Sequence, residues 1–225
     1  MEHRHDRLKS LIGEEKLNTL KNSKVIVFGV GGVGGAVIEA LARSGVGEIA
    51  VVDNDKFEPT NLNRQILATE KTLGKSKVEV AIARIAEIDS KIKTTGYDTF
   101  YLPETADKID LEKYDLIVDA IDTVTAKIYL AEQAQKLGKK IISAMGTGNK
   151  IDPTAFKVAD IYQTDICPLC RVMRSRLKKR GIDKLKVVYS TEPPVIKSQI
   201  PASNASCPLV AGLIIANEAI KMLYE

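Results

Sequence analysis

A glycine-rich turn and the aspartate that follows it have the spacing of a nucleotide-binding site. The turn reads Gly29-Val30-Gly31-Gly32-Val33-Gly34, and it joins a predicted strand to a predicted helix. Asp53 ends the next predicted strand. Glycines let the backbone approach a phosphate, a helix N-terminus attracts negative charge, and a carboxylate accepts hydrogen bonds from ribose hydroxyls. The predicted nucleotide-binding residues are therefore Gly29, Gly31, Gly32, Gly34 and Asp53.

The residues after Asp53 do not suit a dehydrogenase. Asn61, Arg64 and Gln65 occur where a dinucleotide-binding fold would continue into its next helix. Hydride transfer commonly needs a His, Tyr or Lys proton donor, but both histidines of this chain lie within its first five residues. An arginine fork and a lysine point charge suit a phosphate chain instead. Asn61, Arg64 and Lys77 therefore predict a triphosphate site, although each by itself also fits an ordinary surface side chain.

Two carboxylates end another buried apolar strand, in the order Asp119-Ala120-Ile121-Asp122. Open α/β sheets bind their ligands at the carboxyl ends of the strands, so these side chains are expected beside the nucleotide. Asp122 lies beyond the strand, in the turn, and is the better candidate for a magnesium ligand. Asp119 is expected to satisfy backbone donors.

The chain carries 33 basic and 29 acidic residues, and its basic residues are unevenly distributed. A block from Arg171 to Lys186 contains a single acid, Asp183. Such a block attracts phosphate, so it predicts a nucleic-acid contact, with a solvated helix face as the alternative. The predicted nucleic-acid-binding residues within this block are Arg171, Arg174, Lys178, Lys179 and Arg180.

The chain has three cysteines, two of them in the motif Cys167-Pro-Leu-Cys170. This motif is half of a zinc site, but only Cys207 remains and no histidine follows residue 5, so the sequence argues against zinc. A disulfide or redox pair is the alternative for these two cysteines, although nothing in the sequence marks either thiol as activated. The odd number of cysteines and a charged N-terminus without a signal sequence indicate the cytoplasm, with no structural disulfide. The longest apolar stretch, Val25 to Ile38, is too short to span a membrane.

The order of predicted elements indicates a doubly wound α/β fold, with a mostly parallel, Rossmann-like sheet. A helical N-terminal arm, broken at Gly13, is predicted over 1–22, a nucleotide-binding core over 23–150, and an appendage with a closing helix over 151–225, within a single domain. The closing helix is expected to pack through Val210, Leu213, Ile214, Ile220 and Leu223. The predicted strands are Lys24–Phe28, Glu48–Val52, Lys91–Tyr97, Asp115–Ala120, Lys140–Ala144, Ala155–Val158 and Lys186–Tyr189.

These motifs in this order resemble the adenylating superfamily of MoeB, ThiF and ubiquitin-activating enzymes. The resemblance covers most of the first 150 residues and implies that ATP adenylates a carboxylate and releases pyrophosphate. It implies that Asp53 holds the ribose and Asp122 the magnesium ion, with Asp55 and Gln65 in the same site. The residues implied to bind the phosphates are Asn61, Arg64 and Lys77.

The N-terminal run Arg4-His-Asp-Arg7 resembles the Arg-x-x-Arg of dimeric members of this superfamily. In those members the second arginine reaches the ATP of the partner subunit. The resemblance therefore implies a homodimer. It also implies that Arg7 is a catalytic arginine supplied in trans, which would stabilise the negative charge that develops as the phosphorus atom is attacked. A surface position on a mobile arm is the alternative for Arg7.

Other segments resemble the tRNA threonylcarbamoyladenosine dehydratase, or TcdA-like, branch almost from end to end. They are Ala40 to Gly45, Asp119 to Asp122, Ile151 to Thr154, the basic block, Tyr189 to Glu192 and the closing Ala211-Gly-Leu-Ile-Ile. The resemblance implies that the carboxylate of threonylcarbamoyladenosine in tRNA is adenylated and then attacked internally, which gives a cyclic product. The basic block would contact the tRNA.

Two other functions remain open from the sequence. Cys207, before Pro208, would suit an enzyme that activates a sulfur-carrier or ubiquitin-like protein and passes an acyl group to a thiol, but a buried core thiol fits it as well. The basic block would be unexplained in such an enzyme. A module that merely holds a nucleotide would not need Arg64, Lys77 and Asp122 together.

Overall fold

The structure is a computed structural model that describes residues 4–198 and 200–225. The predicted arm begins at residue 1, and its first three residues lie outside these ranges. The rest of the arm forms two short helices, α1 (Asp6–Ile12) and α2 (Glu14–Asn22). Gly13 separates them with a φ of +87°, a conformation that glycine adopts without steric cost. The predicted break at Gly13 is therefore confirmed.

Across the described residues, seven strands form one sheet, and the sequence predicted each of them to within two residues. They are β1 (Lys24–Phe28), β2 (Glu48–Asp53), β3 (Lys93–Asp98), β4 (Leu116–Asp119), β5 (Lys140–Ala144), β6 (Phe156–Asp160) and β7 (Lys186–Ser190). Their order in the sheet is β3-β2-β1-β4-β5-β7-β6. All neighbours are parallel except β6 and β7, which are antiparallel. The doubly wound, mostly parallel fold is confirmed.

Helices cover both faces of the sheet. They are α3 (Gly32–Arg43), α4 (Lys77–Ile88), α5 (Val124–Lys136), α6 (Pro168–Lys178) and α7 (Ser206–Tyr224). Short 3-10 helices lie at Pro59–Asn61, Ala106–Lys108, Leu111–Lys113, Pro153–Ala155 and Ile161–Gln163. Strand β1 shows why both faces are covered: Val25 and Val27 pack with α3, α4 and α7, while Ile26 and Phe28 pack with α5. Its continuous apolar run is that of a strand buried on both sides.

The closing helix α7 is long and apolar enough to cross a membrane by length and composition, which the sequence analysis did not identify. A core helix of the same length and composition passes the same test. Here Cys207, Ala211, Ile215 and Ala219 are buried in the main core. The prediction that Leu213 packs inward is wrong, because its side chain is 52% exposed. Small residues at helical spacing form the buried side of α7, and they allow it to approach α3 closely.

Candidate active site

A cavity of about 850 Å³ lies at the carboxyl ends of β1, β2, β4 and β5. Parallel strands bring these ends to one edge, which is where open α/β sheets bind ligands. The cavity brings together most of the residues that the sequence selected. Those that line it are Gly29, Gly31, Gly32, Asp53, Asp55, Asn61, Arg64, Gln65, Lys77 and Asp122.

The glycine turn gives one wall of the cavity its shape. Gly29 has a φ of +91°, and a Cβ there would lie 2.5 Å from the carbonyl oxygen of Ala120. Gly34 does not line the cavity; a Cβ on it would lie 1.7 Å from the Gly29 carbonyl oxygen, so Gly34 permits the turn itself. Gly31, the N-cap of α3, faces open space. A phosphate can therefore approach the uncovered N-terminus of α3.

Asp53 is fixed by two backbone donors. Its Oδ2 accepts a hydrogen bond from the N–H of Val30 at 2.6 Å, and its Oδ1 accepts one from the N–H of Asp55 at 2.8 Å. Each carboxylate oxygen has room for a second donor. The glycine turn and the end of β2 thus hold Asp53 as an oriented acceptor, as ribose recognition requires.

The loop after β2 carries three of the predicted site residues, Asn61, Arg64 and Gln65. Asn61 is buried, and its Oδ1 accepts a hydrogen bond from the N–H of Glu58 at 3.1 Å. Arg64 uses Nη1 to donate to the Thr60 carbonyl oxygen at 2.6 Å, which holds its guanidinium at the cavity wall. Gln65 is also buried, and its Oε1 has no hydrogen-bond partner among the described residues. An unpaired buried acceptor that lines a cavity suits a ligand donor.

Lys77 is the first residue of α4, where the positive end of the helix dipole opposes a cation. Its side chain is only 7% exposed, and its Nζ lies 2.8 Å from Oδ2 of Asp55, which is 57% exposed. A buried ammonium at a helix N-terminus needs a nearby anion. Asp55 supplies that anion in the structure, and a phosphate group in the cavity would supply another.

Asp122 lies in the turn after β4 and lines the cavity with an exposed side chain. Its Oδ1 accepts a hydrogen bond from the Thr123 hydroxyl at 3.3 Å. In the parts of the chain that the structure describes, no three His, Cys, Asp or Glu side chains converge as a metal site. Magnesium commonly binds one or two carboxylates and completes its shell with phosphates and water. A single exposed Asp122 beside a phosphate site fits that donor set.

A buried polar network under the cavity was missed by the sequence analysis. The Nζ of Lys127 lies 2.9 Å from Oδ2 of Asp119, and the two side chains are 0% and 1% exposed. The Ser143 hydroxyl donates to the same oxygen at 2.5 Å. Ile121 is held at both ends, since its N–H donates to Asp119 and its carbonyl oxygen accepts from Lys127. The expected backbone bond of Asp119 is confirmed, and the network fixes the residue that precedes Asp122.

Other residues of the cavity wall also escaped prediction. Thr147, Asn149 and Lys150 follow β5, and Tyr101 follows β3. Lys150 is buried and donates to the Glu192 carbonyl oxygen. Burial raises the pKa of Tyr101, so its hydroxyl stays protonated. The run Gly-Thr-Gly-Asn-Lys after a buried strand could have suggested a binding loop in the sequence. That this loop lies at the same sheet edge as the glycine turn depends on the order of the strands, which the sequence motif does not show.

The basic block forms α6 and the segment after it. Pro168 and Leu169, at the N-terminal end of α6, line the cavity, and the other end of the helix lies about 16 Å away. Arg174 donates to the Thr164 carbonyl oxygen at 2.8 Å, and Arg180 pairs with Glu132. These two arginines therefore have internal partners. The predicted contacts Arg171, Lys178 and Lys179 are exposed.

Arg7 lies on α1, is exposed and does not line the cavity. Its neighbour Arg4 pairs with Asp89, 2.8 Å away, just beyond the end of α4. The end of α4 leads into the amino end of β3, so this part of the arm lies at the edge of the sheet opposite the cavity.

A family model for the ThiF family matches residues 4–225. The chain belongs to the ThiF family. A tRNA threonylcarbamoyladenosine dehydratase of Bacillus subtilis (strain 168) is 41% identical over 244 aligned positions, covering 100% of this ThiF-family chain and 96% of that protein.

Solved structures give the same relationship. TcdA, the tRNA N6-threonylcarbamoyladenosine dehydratase of E. coli, matches in its complex with AMP with a TM-score of 0.93 and 32% identity, covering 98% of this chain and 94% of that one. Its complex with ATP matches with a TM-score of 0.90 and 30% identity. A sulfur carrier protein adenylyltransferase of Thermus thermophilus is 35% identical over only 58% of this chain and 48% of its own length. The predicted resemblance to the ThiF superfamily, and within it to the TcdA-like proteins, is confirmed.

Proposed function

We propose that this protein is an ATP-dependent tRNA threonylcarbamoyladenosine dehydratase. The observation that carries the proposal is one cavity that joins a nucleotide-binding turn, a phosphate-side Arg and Lys, and the N-terminus of a basic helix. The end-to-end similarity to TcdA-like dehydratases supports it. A tRNA substrate also implies a cytoplasmic location.

In the first step the threonylcarbamoyl carboxylate attacks the α-phosphorus of ATP, and pyrophosphate leaves. Asp53 orients the ribose, while the N-terminus of α3, with Asn61, Arg64 and Lys77, holds the phosphates. Negative charge moves onto the leaving pyrophosphate during this step, so fixed cations beside it lower the barrier. Lys77 would exchange part of its contact with Asp55 for a phosphate oxygen. Gln65 would gain the donor that its buried Oε1 lacks.

Magnesium, held by Asp122 and phosphate oxygens, would neutralise charge on the triphosphate.

In the second step a urea nitrogen of the threonylcarbamoyl group attacks the activated carbonyl carbon. That nitrogen loses its proton, the bond to AMP breaks, and a five-membered ring remains. The nucleoside thereby loses one water. Because the nucleophile and the acyl group belong to one molecule, the protein contributes mainly positioning and the exclusion of water.

The deciding experiment is mass spectrometry of nucleosides from tRNA that carries threonylcarbamoyladenosine. After incubation with the protein and ATP, the modified nucleoside should lose the mass of one water, and ATP should be converted to AMP and pyrophosphate. Because alkaline hydrolysis reopens such a ring, digestion must be mild. An unchanged nucleoside, together with pyrophosphate exchange driven by a Gly-Gly-ended carrier protein, would refute the dehydratase.

Activation of a sulfur-carrier protein is disfavoured by the position of Cys207. Its side chain is fully buried, and burial raises the pKa of its thiol. A thiol that accepts an acyl group must reach the adenylate as a thiolate. Cys207 meets neither condition in this fold, and it is better explained as part of the core.

The tRNA is proposed to follow the exposed side of α6. Replacing both Lys178 and Lys179 by alanine should raise the KM for tRNA and leave the KM for ATP and kcat unchanged. Each lost phosphate contact removes about one counterion, so the slope of log affinity against log salt should fall by about two. The matched control replaces Lys91 and Lys93, exposed lysines near the β3 edge of the sheet. If both double replacements change the KM for tRNA equally, α6 does not bind the tRNA.

Arg7 can serve a cavity only from a second copy of the chain, because its own helix begins at the opposite edge of the sheet. We therefore propose a homodimer in which Arg7 acts in trans. Arg7→Ala alone should lower adenylation by about 10²-fold. Mixing it with equal amounts of Asp122→Asn should restore about a quarter of wild-type activity, since half the dimers are mixed and each has one intact site. No recovery in dimers shown to be mixed would contradict this arrangement.

A further inference from the structure

Cys167 and Cys170 form a pair that the proposed reaction does not use. Cys167 is the N-cap of α6, and Cys170 lies on the first turn of the same helix. Both are buried, and because they are three residues apart at the start of one helix, their side chains lie on the same face of it. The two sulfur atoms are therefore neighbours. Among the described residues no third His, Cys, Asp or Glu side chain joins them in a metal-binding cluster.

The surroundings of Cys167 favour its thiolate. The neighbouring Cys170 thiol, together with the backbone N–H groups of Cys170, Gly146 and Leu169, lowers the pKa of Cys167 against the opposing effect of burial. A helix N-terminus contributes in the same direction. The pKa of Cys170 is raised by the neighbouring Cys167 sulfur, so Cys170 keeps its proton.

Cys167 is also held in place and reaches the active-site cavity. It lines the cavity with Gly146 and Leu169, whereas Cys170 and Cys207 do not. Ile166, just before it, has a φ of +37°, an unusual conformation for a β-branched residue. Such a conformation persists only where the surroundings enforce it, and such residues concentrate at functional sites.

We propose that Cys167 and Cys170 are an oxidation site inside the nucleotide cavity, in which a hydroperoxide converts the two thiols to a disulfide. The Cys167 thiolate attacks one peroxide oxygen, the O–O bond breaks, and hydroxide leaves. The Cys170 sulfur then attacks the resulting sulfenic acid, the S–O bond breaks, and the Cys170 proton leaves with that oxygen as water. Two equivalents of a small thiol reverse the change.

The bound nucleotide should control this chemistry. Hydrogen peroxide is little larger than water and can enter the cavity, but ATP in the same cavity would cover Cys167. Oxidation removes the thiolate charge and draws the sulfur toward Cys170, so the disulfide form should bind ATP with a different affinity. This part of the inference rests on the proposed nucleotide site, but it does not depend on which carboxylate is adenylated.

The test treats the reduced, full-length protein with hydrogen peroxide at pH 7 and follows intact mass. Wild type and Cys207→Ser should each lose two hydrogens and regain them with dithiothreitol. Cys170→Ser should instead accumulate a sulfenic acid that dimedone traps. Cys167→Ser should form neither the disulfide nor the sulfenic acid. A disulfide that needs Cys207, or a Cys167 that reacts no faster than free cysteine, would overturn the proposal.

A second arm repeats the oxidation with ATP at about ten times its Kd, as measured by equilibrium dialysis. The rate of disulfide formation should fall by about tenfold, in proportion to the free protein that remains. If ATP binds and the rate is unchanged, the proposed access through the cavity is wrong. If ATP does not bind at all, the proposed function fails, while the first arm still decides whether the pair is an oxidation site.

Discussion

Replacing Asp122 by asparagine should lower the rate of adenylation by about 10²-fold to 10³-fold and leave the fold intact. The side chain is exposed and its one described bond is to its neighbour Thr123, so the free energy of unfolding should change by less than about 0.5 kcal/mol. Asparagine keeps the shape but loses the charge that would hold magnesium at the triphosphate. Loss of one such electrostatic contact commonly costs about 10² to 10³ in kcat.

This result would be measured as pyrophosphate exchange into ATP in the presence of modified tRNA, with urea unfolding recorded in parallel. Asp107→Asn is the matched control, because Asp107 is an exposed aspartate that does not line the cavity. The control should keep full activity. Near-normal exchange by Asp122→Asn would remove Asp122 from the active site, and an equal loss in both variants would indicate a general charge effect.

Replacing Lys127 by methionine should lower the free energy of unfolding far more than replacing Asp122 by asparagine. Asp119 would be left as a buried carboxylate without its cation, and breaking such a pair typically costs about 3 to 5 kcal/mol of unfolding free energy. The same change releases the Ile121 carbonyl oxygen, which lies one residue before Asp122. The surviving folded protein should therefore also lose kcat, with a smaller change in the KM for ATP.

Lys136→Met is the control for Lys127→Met. It lies on the same helix, its side chain is 62% exposed, and its pair with Glu132 is of the kind that contributes less than about 1 kcal/mol. Urea unfolding of both variants gives the comparison. Adding Asp119→Asn to Lys127→Met should recover part of the lost stability, because the unpaired buried charge is then absent. Equal stability of the two lysine variants would contradict a structural role for the buried pair.

Much of the fold could be read from the sequence because its signals are local. Continuous apolar runs such as 25–28 predict strands that are covered on both faces, and Gly13 predicts a break between helices. The position of the closing helix in the chain was predicted correctly, but the side of the helix that faces the core was not. Its large residues suggested an apolar side, whereas close packing against α3 selects the side with alanines and leaves Leu213 exposed.

The division into an arm, a core over 23–150 and an appendage over 151–225 stays a prediction. The cavity draws on both larger segments, since Cys167, Pro201 and Pro208 line it together with Asp53 and Asp122. The appendage therefore contributes to the site itself, which composition and Pro spacing did not reveal.

The sequence by itself identified residues that line one cavity, from Gly29 through Asp53, Arg64 and Lys77 to Asp122, and these are the residues that we propose bind the nucleotide. Those residues occur in motifs whose order and spacing follow from strand, turn and helix, so short-range geometry is enough to assign them. Only the tertiary structure decided which other residues share the cavity. Ser143, which meets Asp119 across β4 and β5, and Cys167 in the cavity wall are brought there by strand order and helix packing, which depend on contacts between residues far apart in the chain.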